Sequence, residues 1–144
     1  MGKVIQTAKN VGISTLVTEG EYSDTNLATA LGGLTYGVSV WDMAKAYSVF
    51  ANGGKLVEPT VIMKVVDRNG KVIEDHSGAR ESTQAVDEAS AWTLTSVLEE
   101  VISRGTGGNA YIGRPSAGKT GTTDDEHDAW LSDIHRIFYG GLDR

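Results

Sequence analysis

The chain has 144 residues, of which 40% are hydrophobic and 22% charged, so its size and composition are those of one globular domain. Its 13 basic and 19 acidic residues give a net charge of −6 without a basic stripe, which argues against nucleic acid as a partner. The absence of cysteine excludes disulfides and thiolate metal sites. No apolar stretch has the length of a signal-peptide core or a membrane span.

The N-terminal segment predicts a short surface helix followed by a long loop. Val4, Ile5 and Ala8 share one face of a helix over residues 3–10, and a glycine stands just beyond its end. From 13 to 38 the sequence mixes turn residues with short apolar pieces, and only "NLATAL" has the character of a helical turn. Most of this segment is therefore predicted to be loop.

A second helix is predicted over residues 40–51. Ser39 has the character of an N-cap, Asp42 follows three residues later, and Asn52-Gly53-Gly54 form a stop signal. An apolar stripe at helical spacing predicts that one face packs against a core, and its members are Met43, Ala46, Tyr47 and Phe50.

A hairpin and a third helix are predicted next. "TVIMKVVDRNGKVIED" contains two β-rich runs joined around Asn69-Gly70, which predicts a hairpin at about 60–75. "HSGARESTQAV" reads as a polar linker. Asp87 then caps a helix that runs to about Ser103. Its predicted core face consists of Ala91, Leu94, Val97, Leu98, Val101 and Ile102.

The stretch "GRPSAGKTGT", residues 113–122, fits two incompatible patterns. Gly113, Gly118, Lys119 and Thr120 complete the phosphate-loop pattern G-x-x-x-x-G-K-[ST]. That loop requires a buried strand before it and a helix after it, and neither flank has this character. The alternative is a K-T-G strand beside a cleft, with small residues that let a peptide lie alongside, and "SAGKTGTT" has this composition. We favour the K-T-G interpretation of this stretch. Nucleotide binding through Gly113–Thr120 is the third candidate function, after the two described below.

Four segments together resemble the transpeptidase domain of class A, bifunctional penicillin-binding proteins. They are, in order, "LATALGGLTYGVSVWDMAKAYSVFANGG", "VVDRNGKVI", "SRGTGGNA" and "AGKTGTTDDEHDAW". The resemblance implies an α/β fold of the α+β type, with helices packed on an antiparallel sheet as in serine β-lactamases and penicillin-binding transpeptidases, here incomplete. It also implies acyl transfer on the D-Ala-D-Ala end of peptidoglycan stem peptides, with β-lactams as acylating mimics. No cofactor or metal is implied.

The resemblance assigns roles to the K-T-G strand. Lys119 takes the electrostatic role beside the nucleophile, Thr120 and Thr122 bind the carboxylate of substrate or β-lactam, and the Thr122 backbone NH is one oxyanion-hole donor. Plain strand propensity is the alternative explanation for the threonines. Gly118 and Gly121 are expected to be small so that backbones can approach closely. The whole substrate-binding stretch consists of Thr120, Gly121, Thr122 and Thr123.

Two further elements of the family's chemistry are not recognised in the sequence. The only formal S-x-x-K is Ser116-Ala-Gly-Lys119, but on a strand positions i and i+3 face opposite sides, whereas the mechanism needs both groups together. For S-x-N, "YSDTN" puts Asn26 three residues after Ser23 instead of two. Both elements would lie upstream of Met1 in a full-length relative. The expectation is a domain fragment that is inactive alone, so whether it is an enzyme stays open.

A partial transpeptidase domain is predicted over residues 1–130 and a divergent tail over 131–144. After Trp130 the family continues with an apolar strand, whereas this chain reads "LSDIHRIFYGGLDR", and an altered or out-of-frame tail is one hypothesis. Trp92 and Trp130 are interpreted as packing residues.

The histidines carry no predicted metal site. The run "DDEHD" at 124–128 is interpreted as a solvated turn, because adjacent residues do not all face one ion. His76 lies in the polar linker and His135 in the tail, and the sequence gives neither a partner arrangement.

The main alternative function is a non-catalytic relic or an interaction module. A truncated sheet leaves unpaired edges and apolar surface, which predicts self-association. Full-length members of the resembled family are anchored to the bacterial membrane with this domain on its extracytoplasmic face, whereas this sequence shows no signal or anchor of its own.

Overall fold

The computed structural model describes residues 1–122 and 129–135. It contains helices and three two-stranded antiparallel sheets, which confirms the predicted class of helices with antiparallel strands. The helices are α1 (Gly2–Asn10), α2 (Val40–Ala51) and α3 (Glu88–Ser103), with short 3-10 turns at Leu27–Leu31 and Gly108–Ala110. The strands are β1 (Lys55–Val57), β2 (Lys64–Val66), β3 (Val72–Asp75), β4 (Ser82–Gln84), β5 (Ser116–Thr122) and β6 (Ala129–His135).

The predicted helix starts are confirmed by their caps. The Asp42 backbone NH donates to Ser39 Oγ at 3.0 Å, which fixes the first turn of α2. At α3 the Ser90 backbone NH donates to Asp87 Oδ1 at 2.9 Å. Each cap satisfies a backbone donor that the helix itself leaves unpaired.

A small apolar core lies between α2 and the segments that flank it. Val11, Ala46 and Val49 are its buried members, and Ile13, Phe50, Leu56, Ala85 and Val86 pack around them. The predicted α2 stripe is confirmed, since Ala46 is buried and its other members are half-buried. Val49 is the most deeply buried apolar residue of this core although it lies outside the predicted stripe.

The predicted core face of α3 is wrong for part of its length. Ala91, Leu98 and Ile102 are buried, but Val97 is 56% exposed and Leu94 is also exposed. Trp92, interpreted from the sequence as a packing residue, is 71% exposed. Among the described residues α3 packs on β5 and α2, which cover one side of its apolar surface and leave the other uncovered.

One of the two smaller sheets was predicted from the sequence, and the other was not. The predicted hairpin is confirmed as β2 and β3, with Val65 opposite Glu74. The predicted linker is wrong at 82–84, because these residues form β4 and pair with β1, Leu56 lying opposite Thr83. β4 has only polar side chains, and its pairing is made by the backbone, so hydrophobic periodicity could not reveal it.

Two buried carboxylates organise the segment between α1 and α2, where the predicted helical turn at Leu27–Leu31 is also found. Asp24 Oδ2 accepts from the Val17 NH at 2.8 Å, and Asp24 Oδ1 accepts from the Thr35 NH at 2.7 Å and hydroxyl at 2.8 Å. These hydrogen bonds, that of the Thr35 backbone first, outweigh burial and hold the pKa of Asp24 below its ordinary value.

The second buried carboxylate, Asp42, ties the same segment to α2. Asp42 Oδ2 accepts from the Ser14 NH at 3.0 Å and the Ser14 hydroxyl at 2.7 Å. Burial opposes ionisation, but these hydrogen bonds outweigh it, so the pKa of Asp42 is also lowered. The loop therefore has a defined path although it contains little regular structure.

The third sheet pairs β5 with β6 in a regular antiparallel register, with Lys119 opposite Ser132 and Gly121 opposite Trp130. α3 packs against β5. The strand β6 continues to His135, so the first five residues of the predicted tail, 131–135, pair with β5. No helix among residues 1–122 has the length and apolar character needed to cross a bilayer.

Candidate functional site

The strand β5 carries the K-T-G residues at its second half. Ser116, Ala117 and Gly118 are buried in the part of the structure where α3 packs on β5, whereas Lys119, Gly121 and Thr122 are exposed and Thr120 is half-buried. The strand predicted from "SAGKTGTT" is thus confirmed as far as Thr122, and Thr123 lies outside the described residues. One end of β5 is anchored in the structure, and the other presents its side chains to solvent.

Two hydrogen bonds define the polar surface at this exposed end. Lys119 Nζ donates to the Thr120 carbonyl oxygen at 2.6 Å. Thr120 Oγ1 lies 2.7 Å from Thr106 Oγ1. An ammonium and several hydroxyls are hydrogen-bond donors within a short length of chain, which suits a carboxylate ligand.

Thr106 is a member of this surface that sequence reasoning did not identify. It lies in the turn after α3, fourteen positions from Thr120 along the chain. The available signal was the glycine-rich "SRGTGGNA", in which a threonine stands between Gly105 and Gly107.

The two glycines of the K-T-G region differ in the space around them. A Cβ on Gly118 would lie 2.8 Å from the Ser132 carbonyl oxygen and 3.1 Å from Ile102 Cδ1, so a close approach requires glycine there. Among the described residues, a Cβ on Gly121 would meet only Trp130 Cβ at 3.6 Å, an ordinary contact. The expected close backbone approach is therefore confirmed within the chain for Gly118, and for Gly121 it stays a prediction.

The alternative patterns in the same stretch do not form their sites. Ser116 is only 6% exposed, whereas Lys119 is exposed further along the same strand, so the formal S-x-x-K brings no serine to the lysine. The phosphate-loop interpretation is also wrong, because Gly118, Lys119 and Thr120 lie within a strand and not at the start of a helix.

The residues of the near-miss S-x-N have local structural roles. Asn26 caps the 3-10 turn, accepting from the Ala28 NH at 2.8 Å and donating to the Ser23 carbonyl at 2.9 Å. Ser23 Oγ lies 2.7 Å from Thr25 Oγ1. These contacts explain the turn and give no reason to assign the pair to catalysis.

Two of the three histidines, His76 and His135, have carboxylate partners that the sequence did not indicate, and the third, His127, lies outside the described residues. His76 Nε2 pairs with Glu74 Oε1 at 2.5 Å, and His135 Nε2 pairs with Asp133 Oδ2 at 2.9 Å. No group of three or more potential metal ligands occurs in the described part of the chain. The acidic run 124–128 lies outside that part.

A buried polar cluster lies where α3 meets the third sheet. Ser116 is opposite His135 and Gly118 is opposite Asp133 in the register of β5 and β6. Within the described residues, Ser116 Oγ, Asp133 Oδ1 and His135 Nδ1 are buried without a hydrogen-bond partner.

A groove of about 400 Å³ lies between α2 and β6, lined by residues that include Met43, Tyr47, Trp130 and Ser132. Burial raises the pKa of Tyr47, although a hydrogen bond with Ser132 opposes this. None of the K-T-G residues lines the groove, so we do not assign it to the same site. Trp130 is half-buried here, in agreement with its interpretation as a packing residue.

Known proteins resemble this chain along most of its length. The family model "Penicillin binding protein transpeptidase domain" matches residues 6–129. Penicillin-binding protein 1A of Neisseria gonorrhoeae is 38% identical over 128 residues, which cover 83% of this chain and 16% of that relative. The chain thus spans only a small part of the curated relatives it matches.

Solved structures give the same relationship. The penicillin-binding protein PonA1 from Mycobacterium tuberculosis has a TM-score of 0.76 at 30% identity, with 91% of this chain and 37% of that chain covered. Penicillin-binding protein A from M. tuberculosis, solved as an imipenem acyl-enzyme complex, shares the fold with a TM-score of 0.71 at 18% identity, over 92% of this chain and 33% of that chain.

Proposed function

The chain belongs to the penicillin-binding protein transpeptidase family, and on this premise we propose that it is a fragment of a peptidoglycan D,D-transpeptidase domain carrying its K-T-G recognition strand. In this proposal the exposed end of β5 binds the carboxylate of a stem peptide and, by the same contacts, that of a β-lactam. The supporting observation is that Lys119, Thr120 and Thr122 present donors on one accessible stretch of strand.

Each residue has a role that its chemistry allows. Lys119 supplies a fixed positive charge, and its ammonium already lies beside Thr120, to whose carbonyl it donates. Thr120 and Thr122 donate hydroxyl protons to the carboxylate. The backbone NH of Thr122 serves as an oxyanion-hole donor. Gly121 and Thr123 complete the substrate-binding stretch.

We infer that this chain alone does not form an acyl-enzyme. Acyl transfer requires a nucleophile next to a base, and the one serine spaced like S-x-x-K, Ser116, is buried on a strand. In a full-length relative this segment would act with an S-x-x-K serine on the extracytoplasmic face of the membrane, where peptidoglycan lies.

The proposal is tested by titrating the ¹⁵N-labelled chain with N-acetyl-L-lysyl-D-alanyl-D-alanine and with benzylpenicillin. We expect saturable changes in the amide resonances of residues 118–122 and an unchanged intact mass. Lys119→Met and Thr120→Val are expected to weaken both titrations. Lys55→Met, which removes an exposed lysine from strand β1, is the matched control and should bind like the unchanged chain.

Two outcomes would contradict different parts of the proposal. The recognition role fails when neither probe perturbs residues 118–122. The non-catalytic role fails when the chain gains the mass of one benzylpenicillin.

A second candidate function, an interaction module, is favoured by the uncovered surface of α3. Trp92, Leu94 and Val97 are exposed on this helix. Apolar surface of this kind associates with a partner or with a second copy, and so do open sheet edges. Light scattering at increasing concentration tests self-association, and a monomer at every concentration would count against it.

A further inference from the structure

Thr106 and Thr120 form a hydroxyl pair that joins the turn after α3 to the K-T-G strand. Their Oγ1 atoms lie 2.7 Å apart. Each hydroxyl has one proton to donate and lone pairs that accept, so one threonine donates and the other accepts. The direction of this hydrogen bond decides whether the Thr120 proton is free for a ligand.

The turn that carries Thr106 is held tightly against the end of α3. The backbone NH groups of Gly105 and Gly107 both donate to the Val101 carbonyl, at 3.1 and 3.0 Å. A Cβ on Gly105 would lie 2.9 Å from Val101 Cα, and one on Gly107 would lie 2.7 Å from Ile102 Cδ1. Glycine on both sides therefore sets the position of Thr106.

The same Ile102 side chain also sets the distance between this turn and β5. Its Cδ1 is the atom that a Cβ on Gly107 would meet at 2.7 Å and one on Gly118 at 3.1 Å. Ile102 is 2% exposed, so it is fixed by packing. The hydroxyl pair is thus a product of buried packing even though it lies near the surface.

We infer that Thr106 is a positioning residue that orients the Thr120 hydroxyl toward a bound carboxylate, an inference that rests on the proposed function. A carboxylate only accepts hydrogen bonds, so Thr120 must donate to it. Thr106 then donates to the Thr120 oxygen, which leaves the Thr120 proton free and polarises the chain of hydrogen bonds in one direction.

The test compares Thr106→Val, which removes the hydroxyl while keeping the shape, with Thr106→Ser, which retains it. Each is titrated with N-acetyl-L-lysyl-D-alanyl-D-alanine and with its C-terminal amide, using the amide resonances of residues 118–122. Thr106→Val is expected to weaken binding of the carboxylate about fivefold to tenfold, the worth of one hydrogen bond. Thr106→Ser should bind like the unchanged chain.

The amide probe separates positioning from structural damage. We expect Thr106→Val to weaken binding of the amide clearly less than binding of the carboxylate, because a hydrogen bond from Thr120 to a neutral amide oxygen is weaker than one to a carboxylate. The matched control is Thr93→Val, which removes an exposed hydroxyl that donates to the Ala89 carbonyl at 2.8 Å within α3. Should Thr106→Val fail to fold, Thr106→Ala removes the hydroxyl without placing a second methyl group in the turn.

The outcomes distinguish this inference from the proposed function. Equal binding of the carboxylate probe by Thr106→Val and the unchanged chain overturns the positioning role alone. Equal losses with both probes also overturn it, since the effect would then be structural. Absence of binding by the unchanged chain overturns the proposed function and, with it, this role.

Discussion

Two regions of the molecule differ in how completely their buried polar atoms are hydrogen-bonded. Between α1 and α2, Asp24 and Asp42 are buried and accept hydrogen bonds from both backbone and side-chain donors. In the sheet of β5 and β6, where α3 packs on β5, Ser116, Asp133 and His135 each bury an atom without a partner among the described residues. Pairing stabilises a buried polar atom, whereas an unpaired one costs free energy.

The two regions are therefore held together by different means. Carboxylates fix the path of the loop between α1 and α2, which has little regular structure. The α3 and β5 contact relies instead on Ile102 packed close to Gly107 and Gly118. The family match covers residues 6–129, so it includes the first region but excludes Asp133 and His135. Two of the three unpaired atoms, those of Asp133 and His135, therefore lie beyond the matched residues.

The largest expected effect comes from Asp24→Ala. Removing this buried carboxylate leaves the Val17 NH and the Thr35 NH without their acceptor, and it leaves the Thr35 hydroxyl only the Tyr22 carbonyl oxygen at 3.3 Å. We expect cooperative urea unfolding, followed by circular dichroism, to be lost. Asp67→Ala is the matched control, since Asp67 also accepts two backbone NH groups but in an exposed hairpin turn. Equal effects of the two substitutions on urea unfolding would mean that burial gives the Asp24 carboxylate no special role in stability.

Low pH should destabilise the same region, the segment between α1 and α2 that contains Asp24 and Asp42. The folded-state pKa values of Asp24 and Asp42 are lowered, so their stabilisation is present above the unfolded-state pKa and is lost as pH falls through the folded values. Because an unfolded aspartate titrates near pH ~3.9, the free energy of unfolding should fall below about this pH.

The measurement is the urea midpoint as a function of pH, for the unchanged chain and for Asp42→Asn. Asp75 and Asp87 also have lowered pKa values and are exposed, so they contribute to the slope in both proteins. The urea midpoint of the Asp42→Asn variant should therefore fall less steeply with decreasing pH. An identical slope would mean that Asp42 does not contribute.

Gly118→Ala tests the packing of the second region. Its new methyl group would collide with the Ser132 carbonyl and Ile102, and overpacking of this kind costs about 1–3 kcal/mol of unfolding free energy. Gly121→Ala is the control in the same strand, and it should change stability by less than about 0.5 kcal/mol because its methyl group makes an ordinary contact. Similar losses of unfolding free energy for both variants would contradict the difference in packing between Gly118 and Gly121.

The sequence predicted the helices, the hairpin and β5 because their signals are local. Ser39 and Asp87 are caps next to periodic apolar residues, and "SAGKTGT" has the small and β-branched character of a strand. The residue roles at K-T-G came from the family resemblance, and they stay predictions. Local sequence signals therefore predicted the strand that carries the candidate site but not the roles of its residues.

The missed features depend on contacts that are distant in sequence. Asp24 lies in a turn-rich segment, and nothing local indicates that Val17 and Thr35 surround its carboxylate. The pairing of Thr106 with Thr120 depends on how α3 docks on β5. Apolar periodicity identified the α3 stripe but not which part of it is covered, so Val97 was wrongly assigned to the core.

The smallest expected effect is a difference in sign between two serine substitutions. Ser116 buries a hydroxyl without a partner in the described structure, so Ser116→Ala loses no hydrogen bond and should leave stability unchanged or raise it by up to about 1 kcal/mol. Ser14 donates its hydroxyl to Asp42, so Ser14→Ala should lower stability by about 1 kcal/mol. Both are measured by urea unfolding at neutral pH. A loss for Ser116→Ala as large as that for Ser14→Ala would mean that the Ser116 hydroxyl has a partner in solution, and the contrast between the two regions would no longer hold at this position.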